Sequence, residues 1–235
     1  MAVLFPRWMN ALPTVAALAT VTGLTSVVFG TWYWATPDFW EVGYMPTQPG
    51  SGFNHQIHAG RLGMDCRYCH TNVEDSHFAN VPSTSTCMGC HTEGSLAQQY
   101  DPGELVAFVR EAYASDESIP WRKIHHLPGY VGNFPHHIHV QAGVSCYSCH
   151  GQIRGMPVVY QAESLSMGWC LDCHRNPDEH IVGPDKVTDL VWAEQHLAER
   201  ARGADNATPE AQRIIDSLLS SHAAGGPQNC GACHH

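Results

Sequence analysis

The sequence predicts a chain of loops and short α-helices behind one N-terminal membrane helix. All ten cysteines occur as Cys-x-x-Cys pairs, and a histidine directly follows each pair. Aromatic residues make up only 9% of the 235 residues, and few long apolar runs are present from which strands or a sandwich core could form. The segment from Ala11 to Trp34 carries no charge and is long enough to cross a bilayer.

Five Cys-x-x-Cys-His runs are the main chemical signal in the chain. They are Cys66 and Cys69 with His70, Cys87 and Cys90 with His91, Cys146 and Cys149 with His150, Cys170 and Cys173 with His174, and Cys230 and Cys233 with His234. This run is the attachment signal of c-type haem: the two thiols bond the two vinyl groups of one porphyrin, and the imidazole meets the iron. A four-ligand zinc site would pair two Cys-x-x-Cys runs and would not need a histidine after each.

The predicted cofactors are therefore five covalently attached haem c groups, which use every cysteine and leave none for disulfides. Five porphyrins would supply the apolar interior that the polypeptide lacks. The predicted fold class is a class III-like multihaem cytochrome c, mostly loops and short α-helices wrapped around five haems, with one N-terminal transmembrane helix.

The chain contains an internal repeat. The segment Phe-Asn-His-Gln-Ile-His at 53–58 recurs 81 residues later as Phe-Pro-His-His-Ile-His at 134–139, and two attachment runs follow each copy. The predicted divisions are 1–36 for a cytoplasmic N-terminus and membrane anchor, 37–52 for a linker, 53–100 for a first two-haem module, 101–133 for a helix and link carrying His125, 134–175 for a second two-haem module, and 176–235 for a helical segment with the fifth haem.

Histidines of the repeat are the predicted ligands on the second face of each iron. The simplest pairing sends the first histidine of each copy to the nearer haem: His55 with His70, His58 with His91, His136 with His150, and His139 with His174. For the fifth haem, His125 and His126 are the leading candidates and His222 is a rival. Met156 follows His150 closely and is an alternative ligand. The remaining histidines are expected to be solvated: His77, His137, His180, His196 and His235.

The N-terminal span favours a retained anchor over a cleaved signal peptide. Cleavage after the small residues near Ala19 would leave an exposed apolar tail. Arg7 precedes the span and Asp38 follows it, so the N-terminus is expected in the cytoplasm and the haem domain in the periplasm, held at the cytoplasmic membrane by a single pass. A net charge of -10 without clustered Lys and Arg excludes nucleic acid as a partner.

Local patterns predict three further helices. Asp101 and Pro102 begin one whose apolar face includes Leu105 and Val109, charge pairing indicates another over 186–202, and Pro209 begins the third. The sequence has no phosphate-binding loop, no catalytic triad in Ser-His-Asp order and no His-Glu-x-x-His metalloprotease motif, so no catalytic residue is predicted. Electron transfer is the function class that remains.

Four longer motifs resemble a known family. Val-Gly-Tyr-Met-Pro-Thr-Gln-Pro at 42–49, Asp-Cys-Arg-Tyr-Cys-His at 65–70, Trp-Arg-Lys-Ile-His-x-Leu-Pro at 121–128 and Met-Gly-Trp-Cys-Leu-Asp-Cys-His-Arg at 167–175 are similar to the membrane-anchored pentahaem cytochrome c subunit of bacterial alternative complex III. In that family the link usually reads His-Asn-Leu-Pro, and His126 stands where Asn is expected. The resemblance therefore favours His125 as the fifth ligand.

The resemblance implies an electron-transfer subunit of a quinol:electron-acceptor oxidoreductase. Implied partners are an iron-sulfur subunit, quinol-binding membrane subunits, and a periplasmic monohaem cytochrome or other soluble electron acceptor. Two alternatives stay open: a stand-alone membrane-anchored multihaem quinol dehydrogenase, and a multihaem reductase enzyme. The enzyme would need one iron with an open face, whereas the chain holds enough histidines to close all five.

Overall fold

The computed structural model describes residues 6–36, 47–96, 100, 102–127, 131, 134–220 and 225–234. The chain divides into two compact units, Met1–Tyr44 and Met45–His235. The prediction of loops and short helices behind one N-terminal apolar helix is confirmed. The finer division into two-haem modules stays a prediction.

The first unit contains one long helix. A short 3-10 helix, Arg7–Ala11, leads into α1, Leu12–Thr36, which has 25 residues. At about 1.5 Å per residue α1 is roughly 37 Å long, which exceeds the ~30 Å thickness of a bilayer's hydrocarbon core. The apolar span Arg7–Tyr33 buries none of its side chains in the protein. Such a helix is unfavourable in water and suits a membrane.

The second unit consists of short helices joined by loops. Its α-helices are α2 (Cys66–Cys69), α3 (Thr84–His91), α4 (Ala107–Ala114), α5 (His136–Gln141), α6 (Cys146–His150), α7 (Met167–Arg175), α8 (Leu190–Arg200), α9 (Pro209–Ser220) and α10 (Cys230–Cys233). Between them lie a π-helical turn, Gln56–Arg61, and 3-10 turns at Gly103–Val106, Ile153–Gly155 and Pro177–Glu179. Among the described residues, β pairing is limited to one antiparallel bridge between Val144 and Ile181.

The three helices predicted from local patterns are present, and the first two begin later than predicted. Asp101, the predicted cap, lies outside the described residues; Leu105 is 62% exposed, whereas Val109 is buried. The predicted helix 186–202 is α8, which begins at Leu190 because the Asp189 side chain accepts a hydrogen bond from the Trp192 backbone N–H at 3.3 Å. The helix predicted from Pro209 is α9.

Two small apolar clusters form the polypeptide core. One joins Val73 and Val140 to the C-terminal segment, and its buried members are Val73, Val140, Val182, Val187 and Ala193. The other packs α9 against Ile181 through Ala211 and Ile215. Apolar side chains beside the attachment runs are exposed instead: Ile57, Leu62, Tyr68, Phe78, Ile138 and Met167. The polypeptide therefore leaves uncovered the apolar surface that a porphyrin would cover.

Two glycines bring the second module against the C-terminal segment. Gly143 has a φ of +80°, and a Cβ added to it would lie 2.8 Å from the Cα of Gly183. The Gly143 carbonyl accepts hydrogen bonds from the N–H groups of Val182 and Gly183, at 2.8 and 3.3 Å. The two backbones meet here without side chains between them.

Replacing Gly143 with alanine should destabilise the second unit. The left-handed backbone alone costs a non-glycine residue about 1–3 kcal/mol, and the contact with Gly183 adds to this cost. Urea titration of the haem-loaded protein should show a midpoint at lower urea. Gly155→Ala is the matched control, because nothing lies within 4 Å of its Cβ position. Equal stability of the two variants would contradict the close approach.

Candidate haem-binding sites

Each attachment run lies on a short helix. In α2 and α10 the two cysteines are the first and last residues, and in all five runs the cysteines are three residues apart, which puts both thiols on one face. Polar side chains cap several of these helices: Asp65 accepts from the Arg67 N–H, Ser145 from Tyr147 and Ser166 from Trp169. Arg67 also hydrogen-bonds the Asp65 carboxylate and holds its pKa below the ordinary value. No disulfide joins any of the ten cysteines.

The third run is fixed from two sides by the segment before α8 and by α8 itself. The Ser145 hydroxyl, which is buried, donates to the Val187 carbonyl at 3.0 Å. Glu194 of α8 accepts hydrogen bonds from Gln152 at 2.8 Å and from the Tyr147 hydroxyl at 3.4 Å. Burial and then the Glu194 charge raise the pKa of Tyr147. These contacts fix α6 against α8 and the segment before it.

The hydrogen bonds of the candidate ligand histidines show which ring nitrogen is left to bind a haem iron. The Nδ1 atoms of five candidate ligands lie against backbone carbonyl oxygens: His58 against Asn54 (2.9 Å), His70 against Asn80 (2.6 Å), His136 against His77 (2.7 Å), His139 against Pro135 (2.9 Å) and His174 against Pro227 (2.6 Å). A carbonyl only accepts, so Nδ1 carries the proton and Nε2 keeps its lone pair. This is the arrangement that metal-binding histidines adopt, and the residues fit the group.

The second histidine of each repeat copy faces the second attachment run of its own module. The rings of His58 and His91 have centroids 6.0 Å apart, and those of His139 and His174 are 6.1 Å apart. An iron held at about 2 Å from each of two imidazole nitrogens separates the ring centroids by roughly 6 Å.

A phenylalanine stacks on each of these second histidines. Phe53 lies 4.4 Å from His58 and Phe134 lies 4.3 Å from His139. The spacing and the stacking favour the pairing expected from the sequence, while ligation itself stays a prediction.

The first histidines of the repeat, His55 and His136, lie in a half-buried group with His70, His150 and His125. Burial, followed by the charge of His70, lowers the pKa of His55 to about 4. Burial, followed by the charge of His125, lowers the pKa of His150 to about 3. At neutral pH these imidazoles are uncharged and hold a lone pair that a metal can use. Nδ1 of His55 is buried without a hydrogen-bond partner.

Each copy of the repeat is docked on the other module. The N–H of His137 donates to the Ser76 carbonyl at 3.2 Å, in the loop after the first run. The N–H of Gln56 donates to the Met156 carbonyl at 3.2 Å, in the loop after the third run. The two contacts are equivalent under the repeat, so each module's loop holds the histidine segment of the other.

Neighbouring cysteines place the five runs in one row. Burial and then the Cys87 thiol raise the pKa of Cys69, which joins the first and second runs. A hydrogen bond from the Cys146 thiol lowers the pKa of Cys66, which joins the first and third. Burial and then Cys173 raise the pKa of Cys149 to about 12, and burial and then Cys233 raise that of Cys170. Along this row the attachment runs follow one another in the order second, first, third, fourth and fifth.

The two ends of this row are the most accessible. Among the ten cysteines, only Cys90 of the second run and Cys230 of the fifth are exposed. Residues 227–231, which lead into the fifth run, are all exposed. In the first, third and fourth runs both cysteines are half-buried.

The segment before the fifth run packs on His174 of the fourth. The Gly226 N–H donates to the His174 carbonyl at 2.9 Å, and a Cβ on Gly226 would lie 2.7 Å from Cγ of the His174 ring. Arg175 donates to the Gln228 side chain at 3.4 Å. The fourth and fifth runs are thereby fixed next to each other.

Other candidate residues lie in varied settings. The structure places His125 against His150, with Nε2 of the former 3.1 Å from Nδ1 of the latter. Met156 is buried, and its carbonyl accepts the Gln56 N–H; a ligand role for it is untested. The His126 ring lies 3.0 Å from the Lys123 carbonyl. His222 lies outside the described residues.

The expectation that His196 is solvated is wrong. This side chain is only 8% exposed, its ring stacks on Trp192 at 4.1 Å, and Arg200 lies 3.0 Å from its Nε2. His196 follows Trp192 by one helical turn, a spacing that places the two rings on one face of α8. Sequence reasoning also missed Asn80 and Pro227, because they act through backbone carbonyls that no side-chain motif reveals.

Comparison with known proteins agrees with this chemistry. No family model matches the chain. The chain is similar to the menaquinone reductase multihaem cytochrome c subunit of Nitratidesulfovibrio vulgaris, with 35% identity over 180 residues, which cover 67% of this chain and 80% of that protein. The chain belongs to the family of multihaem cytochrome c subunits, in agreement with its five Cys-x-x-Cys-His runs.

Proposed function

We propose that the chain is the electron-transfer subunit of a membrane quinol oxidoreductase and holds five c-type haems. Each bound haem supplies a one-electron carrier. The polypeptide's part is to hold the carriers side by side, to close both faces of each iron with histidine, and to keep water from the interior of the row. No residue is proposed to make or break a bond in a substrate.

The continuous row of attachment runs carries this proposal. Electron transfer between cofactors requires close spacing. Backbone hydrogen bonds hold the first module against the loop after the third run and the fifth run against the fourth, and interacting thiols agree with this order. A substrate-converting multihaem enzyme would instead need one iron with an open face, reached from solvent. The row supports a relay with two accessible ends.

The anchor and the relative support a role in electron exchange with membrane quinones. Helix α1 would hold the chain on the cytoplasmic membrane, with the N-terminus in the cytoplasm and the second unit in the periplasm. The relative's name describes a subunit of a menaquinone reductase. The finer proposal is an alternative complex III type assembly, in which an iron-sulfur subunit and quinol-binding membrane subunits deliver electrons.

The fifth run is the proposed exit to a periplasmic monohaem cytochrome or other soluble acceptor. Its leading segment at 227–231 is exposed throughout, whereas the segment that leads into the second run, 81–86, alternates between exposed and half-buried residues. An acceptor in solution has the easier approach to the fifth run.

Purification with α1 intact tests the function. The denatured chain should keep a mass increase of five haems, because thioether bonds survive denaturation, and an iron-sulfur subunit should purify with it. Intact-mass spectrometry and subunit identification measure both. A Cys87→Ala/Cys90→Ala chain is the calibration, since it should carry four haems.

Fewer than five haem additions on the unchanged chain would contradict the cofactor count. A fully loaded chain that purifies alone from detergent-solubilised membranes, with quinol oxidation intact, would support the stand-alone quinol dehydrogenase instead.

A further inference from the structure

His125 lies on the side of His150 that faces away from an iron bound at Nε2. Its Nε2 is 3.1 Å from Nδ1 of His150, and the rings meet edge to face at 79° with centroids 4.2 Å apart. In His70 and His174 the same Nδ1 atom lies 2.6 Å from a backbone carbonyl. At the third run, His125 is therefore the hydrogen-bond partner of the Nδ1 atom, whereas at the first and fourth runs that partner is a backbone carbonyl.

The separation of these rings leaves no room for a metal between them. The histidine pairs that could share an iron have centroids 6.0 and 6.1 Å apart, whereas His125 and His150 are in direct hydrogen-bond contact. An iron between two imidazoles requires roughly 6 Å between ring centroids. The contact is thus a hydrogen bond between side chains rather than a metal-ligand pair.

The link that carries His125 is held in place on both sides. Gln48 exchanges two hydrogen bonds with the Arg122 backbone, at 2.9 and 3.0 Å. Gln161, beyond the third run, accepts from the His126 N–H at 3.1 Å and donates to the Glu163 carbonyl at 2.9 Å. These bonds fix the backbone at Arg122 and at His126, on either side of His125, so its ring position follows from the fold.

We infer that His125 is a positioning residue for the haem of the third run: it accepts the Nδ1 proton of His150 and sets the ring orientation and basicity of that ligand. An imidazole nitrogen is a stronger acceptor than an amide carbonyl, so His150 gains electron density. A more basic axial ligand stabilises the oxidised iron and lowers the midpoint potential of that haem. The inference departs from the expectation that His125 binds the fifth iron.

Potentials and spin states of position-125 variants test this role, which rests on the proposed haem attachment. Cys146→Ala first labels the third haem: one thioether remains, and the retained vinyl group shifts its visible absorption to longer wavelength. In that background, His125→Phe should leave every haem six-coordinate and low-spin while the midpoint potential of the labelled haem rises. His125→Gln, which keeps an acceptor atom, should produce a smaller rise.

His77→Ala is the control: it removes an exposed imidazole that is not a candidate ligand, and it should leave all potentials unchanged. A high-spin, carbon monoxide-binding haem in His125→Phe would overturn the inference and make His125 a ligand; the labelled band shows which iron it served. An unchanged potential in the labelled haem would also overturn it. Intact mass separates these outcomes from failure of the proposed function, because a chain without haem shows no labelled band.

Discussion

Replacing His139 with alanine should convert one haem, a fifth of the total, from low-spin to high-spin and allow it to bind carbon monoxide. The His139 ring faces His174 with the centroid spacing that an iron requires, and its Nδ1–H donates to the Pro135 carbonyl, which directs Nε2 away from the backbone. Alanine removes the ligand and leaves the covalent attachment at Cys170 and Cys173 in place. Electron paramagnetic resonance and carbon monoxide difference spectra measure the converted fraction.

The repeat supplies a second copy of this experiment. His58→Ala should convert a different haem to the same extent, and the double variant should convert two-fifths, because the two sites lie in different modules. His137→Ala is the control: it lies on the same helix as His139, but its ring faces His77 at 5.1 Å. Low-spin spectra in His139→Ala would show that another donor closes the iron opposite His174.

Local sequence patterns predicted those parts of the protein that depend only on residues close together in the chain. The attachment runs are covalent requirements, the helix from Pro209 follows from an apolar face, and α1 follows from an uncharged stretch of bilayer length. The repeat also marked His58 and His139, whose nearest partners lie within their own modules.

The arrangement between modules could not be predicted from the same patterns. The docking of Gln56 on Met156 and of His137 on Ser76 uses backbone groups in loops without periodicity. The order of the five runs depends on the close approach of Cys66 and Cys146, 80 residues apart in the chain, and on Gly226, which lets the fifth run pack on His174 of the fourth. Such contacts depend on the whole fold, and a repeat in the sequence suggests separate modules where the structure interlocks them.

Removal of the fifth haem should affect electron delivery more than electron entry. The variant Cys230→Ala/Cys233→Ala should keep four haems, since its run lies at the end of the row and the other four runs keep their neighbours. In membranes containing the whole complex, quinol should still reduce the remaining haems. Reduction of the soluble acceptor should fall by at least about tenfold, equivalent to a rise of about 1.4 kcal/mol in the activation free energy, because the exposed segment at 227–231 no longer presents a carrier.

The opposite end of the row provides the matched control. Cys87→Ala/Cys90→Ala also leaves four haems, yet it should slow reduction by quinol, while a chain reduced chemically beforehand should still pass electrons to the acceptor at the normal rate. Stopped-flow absorbance in both directions separates the two variants, because each removes one accessible end and leaves the interior order unchanged. Normal acceptor reduction in the four-haem Cys230→Ala/Cys233→Ala complex would place the exit elsewhere, and equal losses in both variants would make the fifth run an internal relay covered by a neighbouring subunit.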